Sequence, residues 1–284
     1  MNEQQTDAAA AALETQADRH YMSREFGDAL ACLVRAIALR KRTGDWIGAG
    51  NGAQNAGLLR LLLADHAGAI KSYEEALESR VRANDVRGQG VTLSRMAEVF
   101  RHSGMHSEAV GLSQRALELF AQVNAPKELG IELNNLGVSY REIGASDTAV
   151  QCYERSLELH RQVGDFDGLA ATLYNLSVLY ADKSHHDRAR SLLEDARDIR
   201  ETMGDNRGLG QTVLRFGMAH EERGDSLSAI ECYEHALRLA RDVGSIDDEA
   251  TALLNLADAV ANQGEADRSV VILEEAERLF AQTG

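Results

Sequence analysis

The segment LNNLGVSY at residues 133–140 returns almost unchanged as LYNLSVLY at residues 173–180, forty residues later. A fixed interval of this size is typical of stacked supersecondary units, none of which buries its apolar face alone. The interval constrains the fold more than length does, since 284 residues also suffice for two ordinary domains. We therefore interpret the chain as a repeat array.

Other columns of the sequence repeat with the same period, and two of them hold small residues. The first column contains Ala29, Ala69, Ala109, Ala149, Ala189, Ala229 and Ser269. The second, seven residues further on, contains Ala36, Ala76, Ala116, Ser156, Ala196, Ala236 and Ala276. Because helices that pack about 8–10 Å apart need small side chains where they cross, these columns predict helix–helix contacts in every repeat.

Within one repeat the apolar spacing is helical. Leu133, Leu136, Gly137 and Tyr140 follow one face of a first helix, and a second stripe begins at Ala149. A single proline and abundant Ala, Leu, Glu and Arg also favour helix. The sequence predicts an all-α domain over residues 1–284, with seven helical hairpins at about 10–49, 50–89, 90–129, 130–169, 170–209, 210–249 and 250–284.

Turn residues punctuate these hairpins. Glycines at 104, 144, 224 and 264 predict a positive φ inside the hairpin, where glycine ends a helix at little cost. Between hairpins, pairs such as Gly44-Asp45 and Gly204-Asp205 predict a left-handed residue followed by an N-cap carboxylate. A second glycine follows at positions 48, 88, 168 and 208, where we expect it to let neighbouring helices approach closely.

Charge and composition exclude several classes of protein. The net charge of −15 disfavours nucleic acid, because phosphate binding needs a concentrated basic face. No apolar stretch reaches the length of about 18 residues that a spanning helix needs, and the N-terminus has no basic region ahead of its alanines. We expect no membrane partner and a cytoplasmic protein. The three cysteines share one repeat column and predict packing positions rather than a site.

The repeat motif points to a known family. Its residues are Leu136, Gly137, Tyr140, Ala149, Tyr153 and Ser156. With these the chain resembles tetratricopeptide repeat proteins, although its unit of forty residues exceeds the usual 34 or so and lacks the closing proline. The longer unit with a Gly-Asp turn resembles the variant found in kinesin light chains, Pins-type scaffolds and bacterial signalling proteins. HEAT and armadillo arrays have similar periods but lack this motif.

The resemblance implies a right-handed α-solenoid whose first helices line a concave groove, a surface that repeat proteins commonly use for binding. A helical wheel places residues 131, 135, 138 and 142 opposite the apolar face of the first helix. The central and apolar columns of this face, together with Arg141 beside them, give the candidate peptide-binding residues. They are Asn55, Arg95, Asn135, Val138, Arg141, Asn175, Val178, Arg215, Met218 and Asn255.

The recurring asparagine suggests how a ligand is held. A carboxamide both donates and accepts, which suits a peptide backbone, and the family implies this use of the column. The alternative is that the amides only bond to neighbouring helices. Apolar and acidic residues in the flanking columns favour a peptide with an apolar anchor and some basic residues.

No motif predicts chemistry. No lysine follows the glycine of a phosphate-binding loop, and Gly48–Ala53 lacks the spacing of a dinucleotide motif. We therefore expect no enzyme, no cofactor and no metal. The leading interpretation is a protein- or peptide-binding scaffold. The alternative is a sensory or regulatory segment of a larger bacterial signalling protein with a cyclase or kinase output domain.

The last hairpin differs from the others. Val270, Val271 and Ile272 run consecutively, where equivalent outward positions elsewhere are polar. A terminal repeat needs a polar outer face. We expect these residues to be covered by a second copy of the chain or by a following domain.

Overall fold

The computed structural model describes residues 2–283, so the two ends of the predicted domain, Met1 and Gly284, lie outside the described residues. Fourteen helices and no strand are found in this range, which confirms the all-α prediction. The helices are α1 (Glu3–Met22), α2 (Phe26–Thr43), α3 (Trp46–Leu62), α4 (His66–Arg82), α5 (Val86–His102), α6 (His106–Gln122), α7 (Pro126–Glu142), α8 (Ser146–Val163), α9 (Phe166–Asp182), α10 (His186–Met203), α11 (Asn206–Glu221), α12 (Ser226–Val243), α13 (Ile246–Asn262) and α14 (Ala266–Thr283).

The fold is an α-solenoid of seven helix pairs. Each pair begins ahead of the predicted bound, for example at Trp46 rather than 50 and at Val86 rather than 90, because the Gly-Asp turn itself marks the start. The chain divides into two compact units, Met1–Cys152 (unit 1) and Tyr153–Gly284 (unit 2). That both belong to one superhelical domain stays a prediction. No described helix has the combined length and apolarity needed to cross a membrane.

Within each unit, helices pack in chain order and the first helices of successive pairs also touch. In unit 1 α5 contacts α7, and in unit 2 α11 contacts both α9 and α13. The two columns of small residues lie at these packing surfaces, since every member is at most 6% exposed. This confirms the role predicted for them from the repeat.

The turns follow a stricter rule than the sequence predicted. One residue with positive φ occurs every twenty positions from 24 to 264, both inside and between the helix pairs. The predicted glycines at 44, 104, 144, 164, 204, 224 and 264 are among them, together with Gly244. Five of these left-handed positions hold other residues: Arg24, Ala64, Asn84, Asn124 and Ser184. A left-handed conformation costs roughly 1–2 kcal/mol in a residue with a Cβ, so packing on both sides must impose it.

The second glycine of the turn has a different role from the one expected. The Asp85 side chain accepts a hydrogen bond from the backbone N–H of Gly88 at 2.9 Å and so caps α5. A Cβ on Gly88 would lie 2.0 Å from Asp85 Oδ2 and 1.9 Å from Arg80 Nη1. The glycine therefore makes room for the cap and for an arginine from the preceding helix, rather than for a second helix backbone.

Glycine also pairs with tyrosine inside the helix pairs. In α3 a Cβ on Gly57 would lie 2.5 Å from the Tyr73 ring of α4, and in α11 a Cβ on Gly217 would lie 2.4 Å from Tyr233 Cε1. The equivalent positions of the first pair hold Ala17 and Leu33. A larger residue on one helix thus accompanies a smaller one on its partner, which keeps the packing dense.

The prediction for the last helix is wrong at one residue. Ile272 is 9% exposed and belongs to the core of unit 2, because it lies on the inner face of α14. Val270 and Val271 are 54% and 62% exposed, as expected for the outer side. Leu273, at 38%, and Phe280, at 53%, are the further exposed apolar residues of this helix.

Candidate functional site

The ten predicted peptide-binding residues all lie on first helices, and none of them is buried. Asn55 and Arg95 are exposed, and the others are partly exposed. In unit 1 they belong to α3, α5 and α7, and in unit 2 to α9, α11 and α13. We call this side of each unit its first-helix face.

The asparagines of the column differ in their hydrogen bonding. Asn255 donates to the Thr251 carbonyl of its own helix at 2.8 Å. The Asn55 side chain makes no hydrogen bond to any described residue. It lines a cleft of about 240 Å³ with Tyr21, Leu33 and Leu58. If the asparagines served only to tie helices together, their amides would bond to neighbouring helices. The side chains of Asn55 and Asn255 make no such bond to a described residue.

The three arginines of the set have acidic or soft partners nearby. Arg95 pairs with Glu98 one turn along α5 at 2.9 Å, and Arg141 pairs with Glu142 at 2.5 Å. Arg215 contacts the Met218 sulfur at 3.5 Å. The Arg95–Glu98 pair joins two exposed side chains and contributes little to stability, so the Arg95 guanidinium can exchange it for contact with a ligand.

Two predicted residues, Arg95 and Asn135, come together in a cleft of unit 1. This α5–α7 cleft has a volume of about 320 Å³. Its lining is Val91, Ser94, Arg95, Glu98 and Arg101 from α5, Phe120 from α6, and Glu128, Ile131, Glu132 and Asn135 from α7. Pockets that bind small ligands or side chains typically combine an apolar lining with a few polar groups, as this one does. Ile131 contributes an apolar surface that is 41% exposed.

Glu132 is the unusual residue of the α5–α7 cleft. Its side chain is only 1% exposed. One carboxyl oxygen, Oε2, accepts a hydrogen bond from the Ser94 hydroxyl. The other, Oε1, is buried and has no hydrogen-bond partner among the described residues. Leaving a buried polar group unpaired costs about 1–3 kcal/mol, and more for a charged one. Glu132 therefore lowers the stability of the fold, and a contribution to stability does not explain its presence.

Two more buried polar atoms near Glu132 lack partners in the described part of the chain. They are the hydroxyl of Ser113 on α6 and the Nη1 of Arg101 on α5. Burial raises the pKa of Glu132 above its usual value, while the side chains of Ser113, Ser94 and Asn135 and the charge on Arg101 oppose the rise. An acceptor, a hydroxyl and a cationic donor thus lie close together. Ser113 and Asn135 are near enough to Glu132 to affect its pKa, but none of the three buried atoms meets hydrogen-bond geometry with a described residue.

Sequence reasoning missed Glu132, although a signal was present. The same column holds small residues or threonine in other repeats: Gly52, Thr92, Thr172, Thr212 and Ala252. Thr92 and Thr212 satisfy their hydroxyls by donating to the carbonyl four residues earlier, at 3.0 Å in both cases. A carboxylate in a column of small, self-satisfied residues is the departure that would have identified the position.

The remaining clusters offer less. Around Arg215 in unit 2, the enclosed space is only about 30 Å³, roughly one water molecule. The ligand atoms of His20, Glu25 and Asp28 lie within 4.8 Å of one another. Glu25 already pairs with His20 Nδ1 at 2.5 Å, and this pair accounts for the grouping. A metal site is not supported by that arrangement.

The helix pairs, the turn register and the packing of small residues match a known family. The tetratricopeptide repeat model matches residues 88–159, 131–202 and 210–282, more than half of the chain. This chain belongs to the tetratricopeptide repeat family. Comparison with curated protein sequences finds no match.

Solved tetratricopeptide structures show the same fold. The apo quorum sensor NprR from B. thuringiensis matches with a TM-score of 0.75 and 18% identity, over 94% of this chain and 75% of that one. A Rap protein complexed with Competence and Sporulation Factor matches with a TM-score of 0.68 and 13% identity, over 99% and 77%. A putative kinesin light chain from Podosopora anserina, with nearly identical repeats, matches with a TM-score of 0.53 and 18% identity, over 68% and 95%. At these identities the likeness establishes the fold alone.

Proposed function

We propose that this tetratricopeptide chain is a non-catalytic scaffold that binds a protein segment or peptide on its first-helix face. The observation that carries the proposal is the α5–α7 cleft, where exposed Arg95 of α5 and partly exposed Asn135 of α7 line one open volume together with apolar and polar side chains. The comparisons support this kind of partner, since one matching structure is a quorum sensor and another is a Rap protein complexed with Competence and Sporulation Factor.

The other predicted residues extend the proposed surface. Asn55 adds an amide with no internal hydrogen bond beside the apolar side chains of Leu33 and Leu58. In unit 2 the proposal includes Asn175, Val178, Arg215, Met218 and Asn255, and in unit 1 also Val138 and Arg141. Each unit has its own stretch of the first-helix face.

The experiment is a binding measurement with matched variants. Fluorescent peptides selected on the full-length protein from a random library are titrated against Arg95→Ala/Asn135→Ala. The control is Arg115→Ala/Gln122→Ala, which removes one guanidinium and one carboxamide from exposed positions of α6. We expect the first variant to weaken binding by at least about tenfold, or about 1.4 kcal/mol, and the control to leave it unchanged. Equal affinities for both variants would reject the proposed surface.

A sensory role is the second candidate, favoured by the likeness to a quorum sensor. A sensor must change when its ligand binds, whereas a scaffold need only hold it. Hydrogen exchange of the full-length protein, measured with and without the selected peptide, distinguishes them. Protection confined to helices α5 to α7 supports the scaffold. Altered exchange in unit 2 on binding to unit 1 supports the sensor.

A further inference from the structure

The most informative feature outside the predicted residues is the set of unpaired polar atoms in the α5–α7 cleft. Glu132 Oε1, Ser113 Oγ and Arg101 Nη1 are buried, and none has a hydrogen-bond partner in the described chain. Glu132 and Arg101 line the open volume of about 320 Å³, and Ser113 acts on Glu132 from behind it, so the three atoms differ from the scattered exceptions found in most folds. They form a site that is incomplete in the free protein.

The other charges of the cleft are already compensated. Arg95 pairs with Glu98 on α5 at 2.9 Å. Glu128 on α7 accepts a hydrogen bond from Arg87 Nε at 2.8 Å. Arg101 takes part in no ion pair with a described residue, and it acts on Glu132 only through its charge. Among the charged groups of the cleft, an incoming group therefore meets one acceptor without an ion pair, Glu132, and one such donor, Arg101.

This combination disfavours a charged ligand group. An ammonium group that approached Glu132 would also face Arg101, and a carboxylate that approached Arg101 would also face Glu132. Either ion would lose its hydration on entering the cleft. A neutral carboxamide avoids both penalties, since its nitrogen donates and its oxygen accepts.

We infer that the α5–α7 cleft recognises the carboxamide side chain of a glutamine or asparagine in the bound peptide. Its N–H group donates to Glu132 Oε1, and its carbonyl accepts from Arg101 Nη1. The Ser113 hydroxyl, in the column that elsewhere holds Tyr73 and Tyr233, lies beside Glu132 and can join the bond to its carboxyl group. This inference rests on the proposed function and specifies one anchor of its ligand.

The test is a selection of random decapeptides displayed on phage, carried out with full-length wild-type protein, Glu132→Leu and Glu118→Leu. Glu118 is exposed on α6 and serves as the control. We expect wild-type protein and the control to select peptides with Gln or Asn at one fixed position, and Glu132→Leu to lose that preference. A synthetic peptide from the wild-type pool should bind Glu132→Leu at least about tenfold more weakly, the loss expected for a hydrogen bond to a charged group.

Stability provides an independent readout. Because Glu132→Leu removes an unpaired buried carboxyl, we expect a higher melting temperature together with weaker binding. A residue with only a structural role would lose stability instead. Should Glu132→Leu fail to fold, Arg101→Met removes the opposite partner, and the same loss of the Gln or Asn preference is expected.

Other results overturn the inference in distinguishable ways. Selection of Lys or Arg at the fixed position assigns Glu132 to a cation and rejects the carboxamide. An unchanged preference in Glu132→Leu and Arg101→Met means that the three atoms hold a structural water only. Peptides enriched without any fixed Gln or Asn reject this inference and leave the proposed function standing. No enrichment at all with the wild-type protein rejects both.

Discussion

The pairing of Gly217 with Tyr233 provides a sharp test of how one helix pair is packed. A Cβ on Gly217 would lie 2.4, 2.7 and 2.9 Å from the Tyr233 atoms Cε1, Cδ1 and Cζ. Carbon atoms prefer separations of about 3.5–4.0 Å. The ring is 0% exposed and its hydroxyl donates to Glu221 at 2.6 Å, so it has no room to move. Gly217→Ala therefore forces the two helices apart.

The expected energies have opposite signs in two backgrounds. Overpacking costs up to about 3 kcal/mol, while alanine gains about 1 kcal/mol over glycine inside a helix. Gly217→Ala alone should lower the free energy of unfolding by about 2 kcal/mol. In a Tyr233→Leu background the clash is absent, as in the natural Ala17–Leu33 pair, and the same change should stabilise by about 1 kcal/mol. The coupling between the two sites is then about 3 kcal/mol.

The assay is a double-mutant cycle by chemical denaturation, with hydrogen exchange of α11 and α12 as the local readout. Gly111→Ala is the control, since Gly111 is exposed in α6 and a Cβ there meets nothing within 4 Å. It should stabilise by about 1 kcal/mol through helix propensity alone. If Gly217→Ala destabilises equally with leucine or tyrosine at 233, the steric explanation is wrong.

Four further predictions concern other parts of the chain. Ala64→Gly should raise the free energy of unfolding by about 1 kcal/mol, because Ala64 has φ +58°, whereas Gly224→Ala at φ +76° should lower it, as measured by denaturation. Burial raises the pKa of the Cys152 thiol to about 11, so a thiol reagent at mildly alkaline pH should label it only after unfolding. Burial also raises the pKa of Glu132. The folded state then holds this proton more tightly than the unfolded state, and wild-type stability falls as pH rises from the unfolded pKa through the folded one. The melting temperature of Glu132→Gln should exceed that of the wild type near neutral pH and converge with it in acid; a constant difference would contradict this. Finally, Val270→Lys with Leu273→Lys should lower the mass found by light scattering if a second copy covers α14, and an unchanged mass would exclude that contact.

The period of forty residues was sufficient to predict most of the fold. It identified seven helix pairs, the small residues at their contacts and most of the glycines in the turns. From the second helix pair onward, each pair begins four residues before its predicted start, because the Gly-Asp turn and not the apolar stripe marks the beginning of the first helix. Ile272 was misplaced because four consecutive apolar residues carry no helical phase of their own. Its inward position follows from the column that it shares with Cys32 and Cys152, both of them buried.

The residues of the candidate site were harder to predict from the period. Comparing repeats identifies the features that all repeats share, whereas a binding site depends on features that one repeat has alone. The asparagine column could be predicted because it recurs in successive repeats. Recurrence does not show which amide already has a hydrogen bond: the Asn255 side chain has one within its own helix, and the Asn55 side chain has none to a described residue. Only the positions of neighbouring helices decide that. The same comparison of repeats hid the unsatisfied arginine, because Arg101 shares its repeat column with Arg141, which is paired with Glu142.

Departures from a repeat carry functional information that the repeat itself does not. Every pair needs the same helices, caps and small residues to stack, so these columns are accounted for by stability. Glu132 is not required for this stacking. Thr92 and Thr212 in the same column donate hydrogen bonds within their own helices, whereas Glu132 Oε1 is buried and has no hydrogen-bond partner among the described residues. Its neighbour Ser113 stands where tyrosine would fill the space, and this too gives up apolar burial. Two neighbouring departures that each cost stability, one of them lining an open cleft, are best explained by a ligand that supplies the missing contacts.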